Sequence, residues 1–265
     1  MPFDWMTPDW PAPPSVGALF TTRAGGVSAP PFDSFNLGDH VRDDPAAVTH
    51  NRQRLAQATG ARPVFLQQVH GTAVAVLDAQ TPDGTVADAC VSTQRRVACT
   101  VMVADCLPVL FTDAAGTVVA AAHAGWRGLA GGVLEACADR FAQAVVQRHP
   151  GADATQVPRD TLAWLGPCIG PQAFEVGKEV REAFVAWRGE AAACFVALPH
   201  AGKFLANLPQ LARLRLQAMG IAQVHGNDGS LAWCTVTRSS RFFSHRRDAV
   251  RLGSTGRMAA SIWLV

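Results

Sequence analysis

Two apolar runs, Val109–Thr112 and Thr117–Ala122, are separated only by Asp113-Ala114-Ala115-Gly116. A parallel crossover needs about a dozen residues or more, so strands this close pair as an antiparallel hairpin. Further short β-type runs lie on either side: Val64–Val69, Ala73–Leu77, Val97–Val103, Leu162–Leu165 and Ser261–Val265. Pro82-Asp83-Gly84 marks another turn. Helical patterns are interspersed. Asp44-Pro45 combines an N-cap residue with proline at the first helical position, and Gly60 suits the end of that helix. After Gly131, residues Leu134, Cys137, Ala138, Phe141 and Val145 form one apolar stripe. Val176, Val180, Phe184 and Trp187 make a third helix, and Leu208, Leu211, Leu214 and Ala218 a fourth, ended by Gly220. Hairpins and helices in mixed order predict an α+β fold with helices packed outside sheet layers. No repeat, low-complexity tract or linker breaks residues 1–265, which predicts a single domain.

Composition narrows the function. With 49% hydrophobic and 17% charged residues, the chain is too apolar to be disordered. A chain of 265 residues buries enough surface to hold a core without disulfides. The seven cysteines are odd in number and widely spaced, which points to free thiols and a reducing compartment. A net charge of +2 gives no electrostatic case for nucleic acid or an anionic membrane. The start, Met1 to Trp5, lacks the basic patch and apolar run of a signal peptide, and the longest apolar stretch, Thr117 to Ala124, is far short of the roughly 20 residues of a membrane span. A cytoplasmic protein without a nucleic-acid or membrane partner is expected, and nothing marks an oligomeric state. The basic, aromatic tail from Arg241 to Asp248 and from Thr255 to Met258 reads as a solvated loop before the last strand.

Three β-runs end on reactive side chains. Val64–Val69 leads into His70-Gly71, Val97–Val103 into Ala104-Asp105-Cys106, and Thr117–Ala122 into His123-Ala124-Gly125. Two imidazoles and a thiolate suit Zn2+, and three protein ligands leave a fourth position open, as in catalytic zinc sites. The same residues also fit a nucleophilic Cys106 with His123 or His70 as its base. Cys168, in Gly166-Pro167-Cys168-Ile169-Gly170, is a candidate fourth ligand or a second thiol lining the site. Asp105, beside Cys106, is a candidate acid/base or an orienting group. The glycine-rich segment from His123 to Gly132 carries Arg127, and Thr21 to Ser28 carries Arg23. Each is a candidate anion-binding turn or an ordinary tight turn. Glu175 is a candidate pocket carboxylate or merely a helix-start acid.

Six motifs occur in order: Phe20-Thr-Thr-Arg-Ala-Gly-Gly-Val-Ser, Ser34-Phe-Asn-Leu-Gly, Gln68-Val-His-Gly, Ala104-Asp-Cys-Leu-Pro, His123-Ala-Gly-Trp-Arg-Gly and Gly166-Pro-Cys-Ile-Gly. Together they resemble the YfiH family, also called the laccase-domain or multicopper polyphenol oxidase family, whose members are described as purine nucleoside phosphorylases. The resemblance runs from about Leu19 to the last strand. It implies a four-layer α/β/β/α sandwich with mixed sheets. It also implies zinc held by His70, Cys106 and His123, and Arg23, Asn36 and Arg127 as pocket residues. The implied chemistry is phosphorolysis of adenosine, inosine and 5′-methylthioadenosine, with deamination of adenosine. His245 stands where the family often has Tyr. Copper is disfavoured: a multicopper oxidase needs H-x-H pairs, and the chain has none. The H-x-E and P-C-x-x-C signature of zinc base deaminases is also missing, so any deamination here uses another geometry.

Overall fold

The structure, a computed structural model, describes residues 4–265; the first three residues, on which the reading of the N-terminus partly rests, lie outside it. In chain order the first half contains β1 (Val16–Phe20), α1 (Pro45–Thr59), β2 (Arg62–Phe65), β3 (Val74–Val76), β4 (Ala89–Ser92), β5 (Val97–Val103), β6 (Leu107–Asp113), β7 (Val119–Ala124), α2 (Trp126–Gly131) and α3 (Val133–Arg148). The second half adds β8 (Thr161–Leu165), β9 (Glu175–Gly177), α4 (Lys178–Trp187), β10 (Phe195–Ala197), β11 (Lys203–Ala206), α5 (Leu208–Ala218), β12 (Gln223–Gly226), α6 (His245–Leu252) and β13 (Met258–Leu264).

The hairpin forms as its short turn requires: β6 pairs antiparallel with β7, from Leu107 opposite Ala124 to Thr112 opposite Val119. It sits at the centre of a mixed sheet ordered β12-β8-β6-β7-β4-β3. A second sheet, β1-β13-β5-β2, lies against it, and a small antiparallel sheet, β10-β11-β9, stands beside them.

Alternating side chains show how the layers stack. Along β5, Val97, Cys99, Val101 and Val103 enter the core between the two large sheets, while Ala98 and Met102 face the α1 side with Leu55. Along β7, Val119 and Ala121 enter the same central core, while Ala120 and Ala122 face Leu134, Cys137 and Phe141 of α3. Both faces of each sheet are therefore covered. The order is α1, sheet, sheet, helices: the four-layer α/β/β/α arrangement. The central strands read as unbroken apolar runs because neither face meets water.

Local signals placed several elements correctly. Asp44 accepts the Ala46 N–H at 3.0 Å, Pro45 opens α1, and Gly60 closes it at φ 63°. Other expectations are corrected. The second helix is two: Trp126–Gly131 is helical as α2, not a loop, and Gly132 at φ 96° breaks it from α3. Val176 belongs to β9, and α4 begins only at Lys178. β2 stops at Phe65, so His70 lies in a loop beyond the strand, not at its end. The basic tail is not a solvated loop. Phe242, Phe243 and Ser244 are fully buried, and α6 follows them.

Candidate metal centre and pocket

Three separate connections bring the reactive side chains together. His123 lies on β7 opposite Pro108 of β6. Cys106 ends the tight β5–β6 turn, in which Asp105 takes φ 86°. His70 lies in the loop after β2 at φ 61°. One ligand atom from each falls within 4.8 Å of the others. Cys106 Sγ is 3.8 Å from His70 Nε2, and the two imidazole rings meet edge-on with centroids 4.8 Å apart. This is the donor set expected from the sequence, now assembled at one point.

Asp88, which the sequence reading missed, organises it. This fully buried carboxylate accepts from His123 Nδ1 at 2.9 Å, which leaves the opposite ring nitrogen of His123 free as a ligand. It also accepts the backbone N–H groups of Val69, His70 and Gly71, at 3.1, 2.9 and 2.7 Å. One side chain therefore orients one histidine and fixes the loop of the other. The readable signal was a lone acid inside the apolar stretch Ala87-Asp88-Ala89-Cys90. Burial opposes its charge, but the His123 bond and the N–H donors prevail and hold the carboxyl below its ordinary value.

The thiol and imidazole are polarised against each other. Burial would push the Cys106 thiol up, yet the His123 charge and the hydrogen bonds from both histidines bring it down to about 6. Burial would likewise lower His123, but Cys106 and Asp88 raise it to about 9. A thiolate is the form that ligates a metal.

The cluster lines a cavity of about 350 Å3, bordered by Met102, Trp126, Ile169, Phe174, His245 and Arg257 among others. That is within the usual range for a small-molecule site. Asp105 also lines it, but both carboxylate oxygens are engaged. Oδ1 accepts from Thr235 Oγ1 at 2.5 Å, and Oδ2 accepts from Ser244 Oγ at 3.0 Å and from Arg246 N–H at 2.6 Å. Asp105 thus holds the start of α6, which carries His245 and Arg246 into the wall.

The other sequence candidates lie elsewhere. Arg23 pairs with Asp33 at 3.0 Å and stacks over Phe243, in a separate surface cleft. Arg127 is exposed and lies over the Trp126 ring. Cys168 is fully buried, accepts from Asn227 at 3.4 Å, and is kept protonated chiefly by burial; it is not in the three-donor cluster. The exposed Glu175 side chain pairs with Lys203, while its carbonyl accepts from Arg246. Asn36 is fully buried, does not line the cavity, and accepts the Arg257 N–H at 2.8 Å. Periodicity could not find these placements, since each depends on which sheet face or loop flank the residue occupies.

Gly125 leaves no room for a side chain at the cluster. A Cβ there would stand 2.8 Å from His70 Cδ2 and 3.0 Å from Cys106 Sγ. Gly125→Ala is therefore expected to weaken metal retention about 10-fold or more while the chain stays folded. Metal content after dialysis, beside a thermal melt, checks this; wild-type retention would refute it.

Known proteins share this architecture. The profile of the multi-copper polyphenol oxidoreductase laccase family matches residues 17–265. A purine nucleoside phosphorylase of Pseudomonas aeruginosa is 52% identical over 261 residues, covering 98% of each chain. The purine nucleoside phosphorylase YfiH of Escherichia coli is 49% identical over 262 residues, again 98% of each. Among solved structures, a Neisseria meningitidis protein of the DUF152 family superposes with TM-score 0.85 at 48% identity, covering 98% of this chain and 99% of that one. YlmD from Geobacillus stearothermophilus superposes with TM-score 0.84 at 30% identity, covering 100% and 97%. Among the described residues, no helix is long and apolar enough to cross a membrane.

Proposed function

The chain belongs to the YfiH family, the multi-copper polyphenol oxidoreductase laccase family, and from that premise we propose that it is a zinc-dependent purine nucleoside phosphorylase. Its substrates are adenosine, inosine and 5′-methylthioadenosine, and it also deaminates adenosine. One observation carries the reading: His70, Cys106 and His123 converge in the wall of a cavity of about 350 Å3, in a chain about half identical to proteins named for this activity.

The donor chemistry fits zinc. Two imidazoles and a thiolate are borderline-soft ligands, and the Asp88 bond supplies the outer support that zinc-binding histidines usually have. Copper is disfavoured, since a trinuclear cluster and a blue site need more histidines than converge here. Zinc at these three residues would supply Lewis acidity.

The residues of the chain do the rest. In phosphorolysis a phosphate oxygen bonds to the ribose C1′ as the bond from C1′ to the purine nitrogen breaks. The base leaves with the bonding pair and takes up a proton. Trp126 and Phe174 border the cavity with apolar surface for the purine and exclude water from the reacting face. Asp105 acts as a positioning residue: its oxygens are engaged in seating α6, so it presents His245 and Arg246 and leaves proton transfer to other groups.

The test is base release from inosine with and without inorganic phosphate. Appearance of ribose 1-phosphate, dependent on added phosphate, is expected. Equal base release without phosphate would refute the reading.

A second reading rests on the hydrogen-bonded order Asp88–His123 with Cys106 beside it, the arrangement of a Cys–His nucleophile in a hydrolase or amidase. A chelator separates the two. The zinc reading predicts loss of activity and recovery on adding zinc. The nucleophile reading predicts indifference to chelator and inactivation by iodoacetamide.

A further inference from the structure

Neither Arg23 nor Arg127 lines the cavity, which leaves the phosphate of the proposed reaction without the cation that the motifs suggested. Two other arginines line it, Arg246 and Arg257. Arg246 is committed. Its Nη2 donates to the Glu175 carbonyl at 3.0 Å, its Nη1 to the Ala173 carbonyl at 3.5 Å, and it lies over the Phe174 ring.

Arg257 differs. Its backbone is pinned from two sides: its N–H donates to Asn36 Oδ1 at 2.8 Å, and its carbonyl accepts from Leu37 N–H at 3.1 Å. Its stem lies on Gly38, where a Cβ would meet Arg257 Cγ at 2.7 Å. Nη1 donates to the carbonyls of Thr255 and Gly256 at 2.9 and 3.3 Å. Among the described residues, Nε and Nη2 have no acceptor, and no carboxylate forms an ion pair with this guanidinium. A guanidinium so fixed, with two donors unused and no carboxylate in contact, offers those donors to an anion entering the cavity. Burial works against its positive charge, and the only partial offsets are the charges of Cys106 and Asp105, which line the same cavity and favour its charged form without making an ion pair with it. A rigid guanidinium with free donors matches the paired oxygens of a phosphate.

We propose that Arg257 is the anchor for the inorganic phosphate co-substrate, positioned by Asn36 and Gly38 in the cavity that also holds His70, Cys106 and His123. The phosphate assignment rests on the phosphorylase reading; an anion site at Arg257 does not. This also gives buried Asn36 a positioning role, since it accepts the Arg257 backbone N–H and bonds both backbone groups of Gly38.

The experiment titrates inorganic phosphate into the wild-type protein, Arg257→Met and Arg257→Lys by calorimetry, and measures the KM for phosphate and for inosine. Met keeps the aliphatic stem over Gly38 and removes the charge; Lys keeps the charge and loses the fork. Phosphate affinity is expected to fall about 10- to 100-fold in R257M and about 3- to 10-fold in R257K. The KM for phosphate should rise in parallel, with the KM for inosine within about twofold and metal content unchanged. Wild-type phosphate affinity in R257M overturns the proposal, as does absence of phosphate binding to the wild type. If R257M fails to fold, R257K decides alone, and unchanged affinity there overturns it. If the wild type releases base without phosphate, the phosphorylase reading fails, while the titration still judges the anion site by itself.

Discussion

Cys106→Ala is expected to strip the protein of its metal. Wild-type protein purified without added metal should carry about one zinc per chain, and the variant close to none, because two neutral histidines alone make a weak, uncharged site. Base release should fall by more than about 100-fold, since losing a ligand costs more than the 10- to 100-fold typical of losing a supporting residue. Metal-free wild type and variant should melt alike, since Cys106 is only half-buried, while the zinc-loaded wild type should melt higher than both because a metal bound to the folded state stabilises it. Elemental analysis and the inosine assay read both effects. Full zinc content in the variant would refute the metal assignment. Zinc-free wild-type protein with full activity would move the assignment to the nucleophile reading.

Asp88→Asn should be nearly as damaging by a different route. The carboxylate accepts from the His123 ring and from three backbone N–H groups, and it is fully buried. An amide of the same shape presents one oxygen and turns an NH2 against the remaining donors. Leaving the buried His123 ring N–H and the part-buried backbone donors poorly paired costs about 3–5 kcal/mol in all. For a domain of this size that lowers the melting temperature by about 10 °C. The His70 loop loosens and the His123 ring loses its orienter, so zinc affinity should fall about 10- to 100-fold even in the fraction that folds. Thermal melts and a competitive zinc titration measure the two effects separately. A variant with both wild-type melting and wild-type zinc affinity would show that Asp88 organises neither histidine. Loss of stability with zinc affinity intact would confine its role to packing.

The sequence reading and the structure agree where the determining contacts are local. The β6–β7 hairpin follows from a connection of only five residues, 114–118. The first helix follows from Asp44, Pro45 and Gly60, residues adjacent to its own ends. The reading went astray where a pattern had two physical causes. Val176 continued an apolar spacing that suits a helix, but pairing with Phe204 of β11 drew it into a strand. The segment from Arg241 to Arg247 looked solvated because it is basic; yet its aromatic pair is buried, and Arg247 is held by the Thr235, Val236 and Phe242 carbonyls and by Asp248. Charge counts in a sequence do not show which guanidinium groups have partners waiting inside.

The sequence by itself determined the chemical inventory: which imidazoles stand beside glycine-bearing turns, which thiol precedes Leu107-Pro108, and the hairpin that places Cys106 and His123 at the same end of the sheet. Local backbone preferences and the strand period suffice for that. Only the tertiary structure decided what surrounds those groups. Stacking the two sheets and closing the His70 loop on Asp88 joined residues from four separate segments. The same packing put Arg23 in a separate cleft over Phe243, turned Arg127 outward and set Arg257 against Gly38 beside the cavity. The physical reason is that a side chain's environment depends on the face and flank its backbone presents after long-range packing. That packing is driven by burial of apolar surface, which has no direction of its own and so leaves no local mark in the sequence for the polar neighbours it brings together.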